Sequence, residues 1–210
     1  MNLRSLTLAA LFAVLPLAAQ AQALYTEGRH YYTIEPAQPT EVADGKIEVV
    51  EVFSYACVHC ANFEPHVAAW KADMPEHVQF RGLPAIFSPA WEPFGRAYFA
   101  AQALGVLDQL HRPLFQALHE QRQRLTTIEA IADFAGSQGI DRDRFLQAAK
   151  SSSTTTKIAR AREQAQRYGV DGTPVIIVNG KYRVPSVGGF QGMLAVVDHL
   201  VAQEAAAATP

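Results

Sequence analysis

The 210-residue chain carries 18 Lys and Arg against 20 Asp and Glu, a formal charge of −2, with 49% hydrophobic and 18% charged residues. A chain of this length and apolar content can bury the core of one enlarged domain or two small ones, which excludes wholesale disorder. The near-neutral balance, without a basic run, excludes the electrostatic footprint of a nucleic-acid binder or a membrane-surface patch.

Residues 1–21 read as a signal peptide. Arg4 supplies a positive start, Leu6 to Ala19 is apolar except for Thr7 and Pro16, and Ala19, Ala21 and Ala23 provide small-residue cleavage spacing after Ala21 or Ala23. The apolar run is short for a transmembrane helix, which needs about 20 residues. The mature protein is therefore expected to be exported.

After a polar lead-in containing Tyr31 and Tyr32, Ile47 to Phe53 is a β-branched run between Gly45 and Ser54 and predicts a central strand. Cys57 to about Asp73 has helical spacing, with Phe63, Val67 and Trp70 on one stripe and Pro65 inside it. His77 to Leu83 predicts a second strand. From Trp91 to about Lys150 no strand candidate interrupts a block of about four short helices, one opening on a possible capping box of Thr126 and Glu129. Thr154 to Tyr168 is a further helix with a polar face, entered through the capping residues Ser151 to Ser153. Val175 to Val178 reads as a buried strand, and Asn179-Gly180 signals a type I′ hairpin into the next one. A last helix is expected from about Phe190 to Ala202. The order predicts an α/β fold in which a mixed central sheet is flanked by helices, with a helical domain inserted between its halves. Its main domain takes residues 22–90 and 152–203, the helical insertion 91–151, and a flexible tail 204–210.

The two cysteines, Cys57 and Cys60, close too small a loop to stabilise the chain by restricting its unfolded state, so their value in an exported protein is chemical. At a strand-to-helix junction Cys57 sits where unsatisfied N–H groups and the helix dipole favour a thiolate, the species that reacts in disulfide exchange. Cys60, one turn further on, is the resolving thiol. Between them, His59 can bring a partly positive imidazole to the Cys57 sulfur, so that His59→Ser raises the Cys57 pKa, whereas Val58 donates nothing. A stabilised thiolate makes the disulfide a strong oxidant. Zinc would need four ligands where two thiols exist, and haem attachment needs His where Ala61 stands, so no metal and no cofactor beyond the cysteine pair is expected. Glu51, a charge in an apolar strand, is a possible proton acceptor near Cys60. His66, His77, His111, His119 and His199 are scattered and read as surface or helix-stripe residues.

The strand ending Phe53-Ser54-Tyr55, the Cys57-Val58-His59-Cys60 motif opening a helix, and Gly169 to Pro174 followed by Val178-Asn179-Gly180-Lys181-Tyr182 together resemble the DsbA family of periplasmic thiol oxidoreductases, from about Tyr25 to Val201. The resemblance implies a thioredoxin fold with a helical insert and a cis Pro174 facing the disulfide. It also implies a periplasmic monomer that gives its Cys57–Cys60 disulfide to unfolded exported proteins. Reoxidation would fall to a quinone-linked membrane partner similar to DsbB. The best-known members carry Pro where Val58 stands and some carry Val where Thr173 stands, positions that tune potential and substrate handling. Glu51 matches the family's acidic residue beneath the site. Its basic partner does not align, since Gly82 falls in that place and Arg81, one residue off, belongs to the opposite face. An exported reductase or isomerase with the same motif, or a thioredoxin-fold chaperone, remain the alternative readings.

Overall fold

The computed structural model describes residues 25–208, so the signal peptide read over residues 1–21 lies outside the described residues. Five strands form one mixed sheet in the order β1-β5-β4-β2-β3: β1 Tyr32–Thr33, β2 Ile47–Phe53, β3 Val78–Pro84, β4 Val175–Val178 and β5 Tyr182–Pro185. β2 is central, parallel to β3 and antiparallel to β4, and all seven of its residues are buried. Burial on both faces explains why it reads as an apolar run rather than an alternation. β1, on the edge against β5, falls in the stretch read from the sequence as a polar lead-in.

One face of the sheet is covered by α1 (Val58–Ala72) and α7 (Gly189–Ala208), where Val49, Phe63, Val67, Ile176, Met193 and Leu200 form a core. The other face meets α6 (Ser152–Arg167), and a second core extends from Val50, Val52 and Ile177 into the helices α2 (Glu92–Leu104), α3 (Leu107–His119), α4 (Ile128–Ser137) and α5 (Arg142–Lys150). Ser151 caps α6 by accepting from the Thr154 N–H at 3.1 Å. The α4 cap is Thr127, accepting from Ala130 N–H, one residue beyond the Thr126 expected from the sequence.

The hairpin turn between β4 and β5 places both Asn179 and Gly180 at positive φ, 52° and 64°. Only glycine fits the second position, because a Cβ there would collide with the Gln38 carbonyl oxygen. The tip is held from α7: Glu204, 6% exposed, takes hydrogen bonds from Asn179 Nδ2 and Lys181 Nζ, both 2.6 Å. Of the flexible tail expected at 204–210, residues 209–210 lie outside the described residues and the rest is helical. Residues 204–208 continue α7, because Glu204 has a countercharge to bury against.

Candidate active site

At the end of β2 the chain makes a tight turn in which Cys57 N–H donates to the Ser54 carbonyl (3.0 Å) and Ala56 N–H to the Ser54 hydroxyl (3.2 Å). Cys57 is the N-cap of α1 in extended backbone conformation, and Cys60 is the third residue of the helix. Both cysteines are thiols here, Cys57 partly exposed and Cys60 fully buried.

The environments of the two sulfurs differ sharply. Hydrogen bonding from the Cys60 thiol to the Cys57 sulfur is the main reason the Cys57 pKa falls to about 5. Burial opposes the fall, while Thr173 and the main-chain N–H groups of His59 and Cys60 add to it. Helix-start amides thus act as the dipole argument requires. Cys60 is pushed the other way, first by burial and then by its hydrogen bond to Cys57. Cys57 is a thiolate at neutral pH and Cys60 a thiol.

The loop before β4 closes the site. The Thr173–Pro174 peptide is cis, and the Cys57 thiol lies 3.4 Å from the Thr173 carbonyl oxygen. The Thr173 hydroxyl is buried without a partner in hydrogen-bond geometry, yet it is near enough to both sulfurs to lower both thiols. A hydroxyl left unpaired beside a dithiol has a thiolate to serve. Thr173→Val is expected to raise the Cys57 pKa by about one unit, the worth of one hydrogen bond to a charge, and thiolate absorbance across pH checks it. An unchanged titration would show that the hydroxyl is idle.

His59 and Val58 are exposed at the helix start, Val58 by 50%. The His59 contribution to Cys57 is its backbone N–H, which a serine keeps, so His59→Ser isolates whatever the imidazole adds.

Beneath the pair, Glu51 is 4% exposed and its pKa is raised to about 8, chiefly by burial, with Lys71 pulling it down and Glu64 and Cys57 adding to the rise. The countercharge thus comes from the last turn of α1, not from β3, where Gly82 stands opposite Glu51 and leaves room for the Tyr98 hydroxyl. Arg81 does lie on the other face, with Nε 2.8 Å from the buried Glu48. A cleft of about 190 Å³ lined by Glu51, Lys71, Tyr98, Asp108 and His111 links the buried carboxyl to solvent.

Lys71, Glu64 and two histidines were missed in the sequence. Cys60, Glu64 and Lys71 are spaced by four and seven, which puts them on one stripe of α1, a signal that was available. His111, Phe115 and His119 share a stripe of α3 in the same way. His111 Nδ1 lies 2.8 Å from the Tyr55 hydroxyl, and His119 Nε2 lies 2.7 Å from the Tyr55 carbonyl. His66 stacks near Phe190 and His199 near Tyr25, away from the cysteines.

The profile of one protein family, described as a DSBA-like thioredoxin domain, matches residues 48–201. The chain is 38% identical to the thiol:disulfide interchange protein DsbA of Azotobacter vinelandii, over 98% of this chain and 100% of that one. It is also 38% identical to the protein of the same name from Pseudomonas aeruginosa, over 98% and 99%. The crystal structure of Pseudomonas aeruginosa DsbA superposes with a TM-score of 0.84 at 36% identity, covering 89% of this chain and 97% of the other.

Proposed function

Since the chain belongs to the DSBA-like thioredoxin-domain family and is a disulfide-donating thiol:disulfide oxidoreductase, we propose that Cys57 and Cys60 are its redox-active pair and that it serves newly exported proteins in the periplasm. The observation that carries this is the split between the sulfurs: Cys57 partly exposed at the N-cap of α1 and Cys60 fully buried one turn further on. No cofactor is needed beyond them.

In the oxidised enzyme a client thiolate attacks Cys57 Sγ, the accessible sulfur. The Cys57–Cys60 bond breaks, and the electron pair leaves with Cys60. A buried thiolate there is costly, so Cys60 takes up a proton. Glu51 is protonated at neutral pH and in contact with solvent through its cleft, which suits it to supply and recover that proton. A second client thiolate then attacks the client sulfur of the mixed disulfide, and Cys57 departs as a low-pKa leaving group. The client leaves with the disulfide and the enzyme with two electrons. Thr173 and the cis Pro174 would hold the client's extended backbone beside Cys57, with Val58 as an apolar contact. The enzyme acts as a monomer, and a quinone-linked membrane oxidase similar to DsbB takes the electrons from the pair.

The test is the reduction potential against glutathione as a function of pH. Family values bracket it, about −120 mV for DsbA and about −270 mV for thioredoxin, and the result expected at neutral pH is nearer the first. Above the Cys57 pKa of about 5, reduction takes up one proton with two electrons, and the potential should fall by about 30 mV per pH unit. Below it, reduction takes up two, and the slope should double to about 59 mV. The folded Cys57 pKa lies below its unfolded value of about 8.5, so its thiolate stabilises the dithiol form fully above that pH and not at all below pH 5. The dithiol form should therefore outlast the disulfide form in melts at neutral pH, with a margin that shrinks towards pH 5. A potential near thioredoxin's, with one uniform slope, would make the protein a reductase.

A further inference from the structure

Tyr55 sits two residues before the nucleophile and is fully buried. Its ring is packed in an aromatic cluster, 5.2 Å from Phe53 and 4.9 Å from Phe115 between ring centroids. Both of its polar ends are met from α3. The hydroxyl shares a 2.8 Å hydrogen bond with His111 Nδ1, and the carbonyl accepts from His119 Nε2 at 2.7 Å. Burial, with Lys71 second, lowers the His111 pKa to about 4, so this imidazole is neutral.

The carbonyl contact has a mechanical consequence. The Tyr55–Ala56 peptide unit is a rigid plane. Its C=O end is held by His119 and its N–H end by the Ser54 hydroxyl. The plane leads directly into Cys57, whose own N–H closes the turn on Ser54. Its tilt therefore decides where the Cys57 sulfur stands relative to the His59 and Cys60 amides and the Thr173 carbonyl. A carbonyl in a buried turn that loses its donor seeks another partner, and the peptide rotates with it. The ring of His119 also borders a cleft of about 170 Å³ beside Val58, so the residue joins the helical insertion to the edge of the active site.

We propose that His119 is a positioning residue for disulfide transfer: its Nε2–H, donated across the domain boundary to the Tyr55 carbonyl, fixes the turn that presents Cys57. The inference rests on Cys57 being the nucleophile. It also gives the helical insertion a part in the chemistry.

Three substitutions separate this role from mere packing. Glutamine can bring an amide N–H to the place of Nε2, asparagine is too short to reach, and leucine has no donor. His119→Leu and His119→Asn are expected to raise the Cys57 pKa by roughly half a unit to one unit, to make the potential more negative, and to lower kcat/KM for a reduced client peptide by roughly three- to tenfold. His119→Gln should stay near wild type on all three readouts. Thiolate titration is read in the folded protein, so a packing defect that only lowers the melting temperature would not move it. Asparagine and glutamine variants that behave alike would overturn the proposal, as would a leucine variant with an unshifted thiolate. Should the leucine variant not fold, the asparagine and glutamine pair decides alone. Turnover persisting in Cys57→Ser would instead overturn the reading of the nucleophile, a separate result from an inactive Cys57→Ser with an indifferent His119.

Discussion

Cys57→Ser is expected to abolish oxidation of a reduced client peptide, a fall of about three orders of magnitude or more, down to background. The asymmetry of the pair dictates this. Cys60 has no exposed surface and its thiol is driven up by burial, so no client can reach it and it gains nothing by ionising. Cys57 is accessible and titrates near 5, so it is both the sulfur attacked and the better leaving group. Cys60→Ala should fail differently. It retains the reactive thiolate but lacks the resolving thiol, and so should accumulate mixed disulfides with oxidised clients, visible as reducible adducts on non-reducing gels. Adducts forming on Cys60 in the Cys57→Ser protein would reverse the two roles.

Arg81→Met is expected to destabilise the fold by about 3–5 kcal/mol, the cost of leaving one member of a buried ion pair behind. For a chain of this size that is a fall in melting temperature of roughly 6–20 °C. Glu48 has no exposed surface and is satisfied by Arg81 Nε at 2.8 Å and by the Glu41 N–H at 2.9 Å. Removing the guanidinium leaves the carboxylate charged in the core or forces it to protonate. The double variant Glu48→Leu with Arg81→Met should recover most of the loss, because hydrocarbon of similar volume replaces such pairs at little cost. Catalysis should change far less than stability: Arg81 borders the Glu51 cleft, but its guanidinium is held by Glu48 on the opposite face of the sheet. Stability within about 1 kcal/mol of wild type would show the pair to be solvated. An activity loss without a stability loss would instead tie Arg81 to the proton path.

The Cys57 and Cys60 motif was legible because its chemistry is local: strand, turn and helix start follow one another in the chain, and the helix amides that favour the thiolate belong to the same segment. The order of elements was legible for a related reason. β2 is apolar enough to be central, Asn179-Gly180 can hardly be other than a hairpin turn, and the helical block contains no strand-forming run. The boundary at 204–208 shifted because the choice between a frayed end and a helix depends on partners far along the chain, here Asn179 and Lys181.

Glu51 was legible as an unusual charge, but its surroundings were not. Period two along β2 and β3 separates Arg81 from Glu51 and gives it to Glu48, while the countercharge to Glu51 arrives from α1. His111 and His119 carry no local sequence signal for their partner. In the sequence they stand 56 and 64 residues from Tyr55, and nothing in their own stretch names that partner.

By itself the sequence determined the class of sheet and the run of helices between its halves, and it singled out Cys57 and Cys60 as the candidate pair, because propensity, periodicity and helix-start electrostatics act over a few residues. Only the tertiary structure decided the pairings of Glu51, Glu48 and Tyr55 and the place of Thr173 against the sulfurs. Those depend on which faces meet when β2, β3, α1 and α3 pack, and burial then gives each contact its strength by removing the water that would screen it.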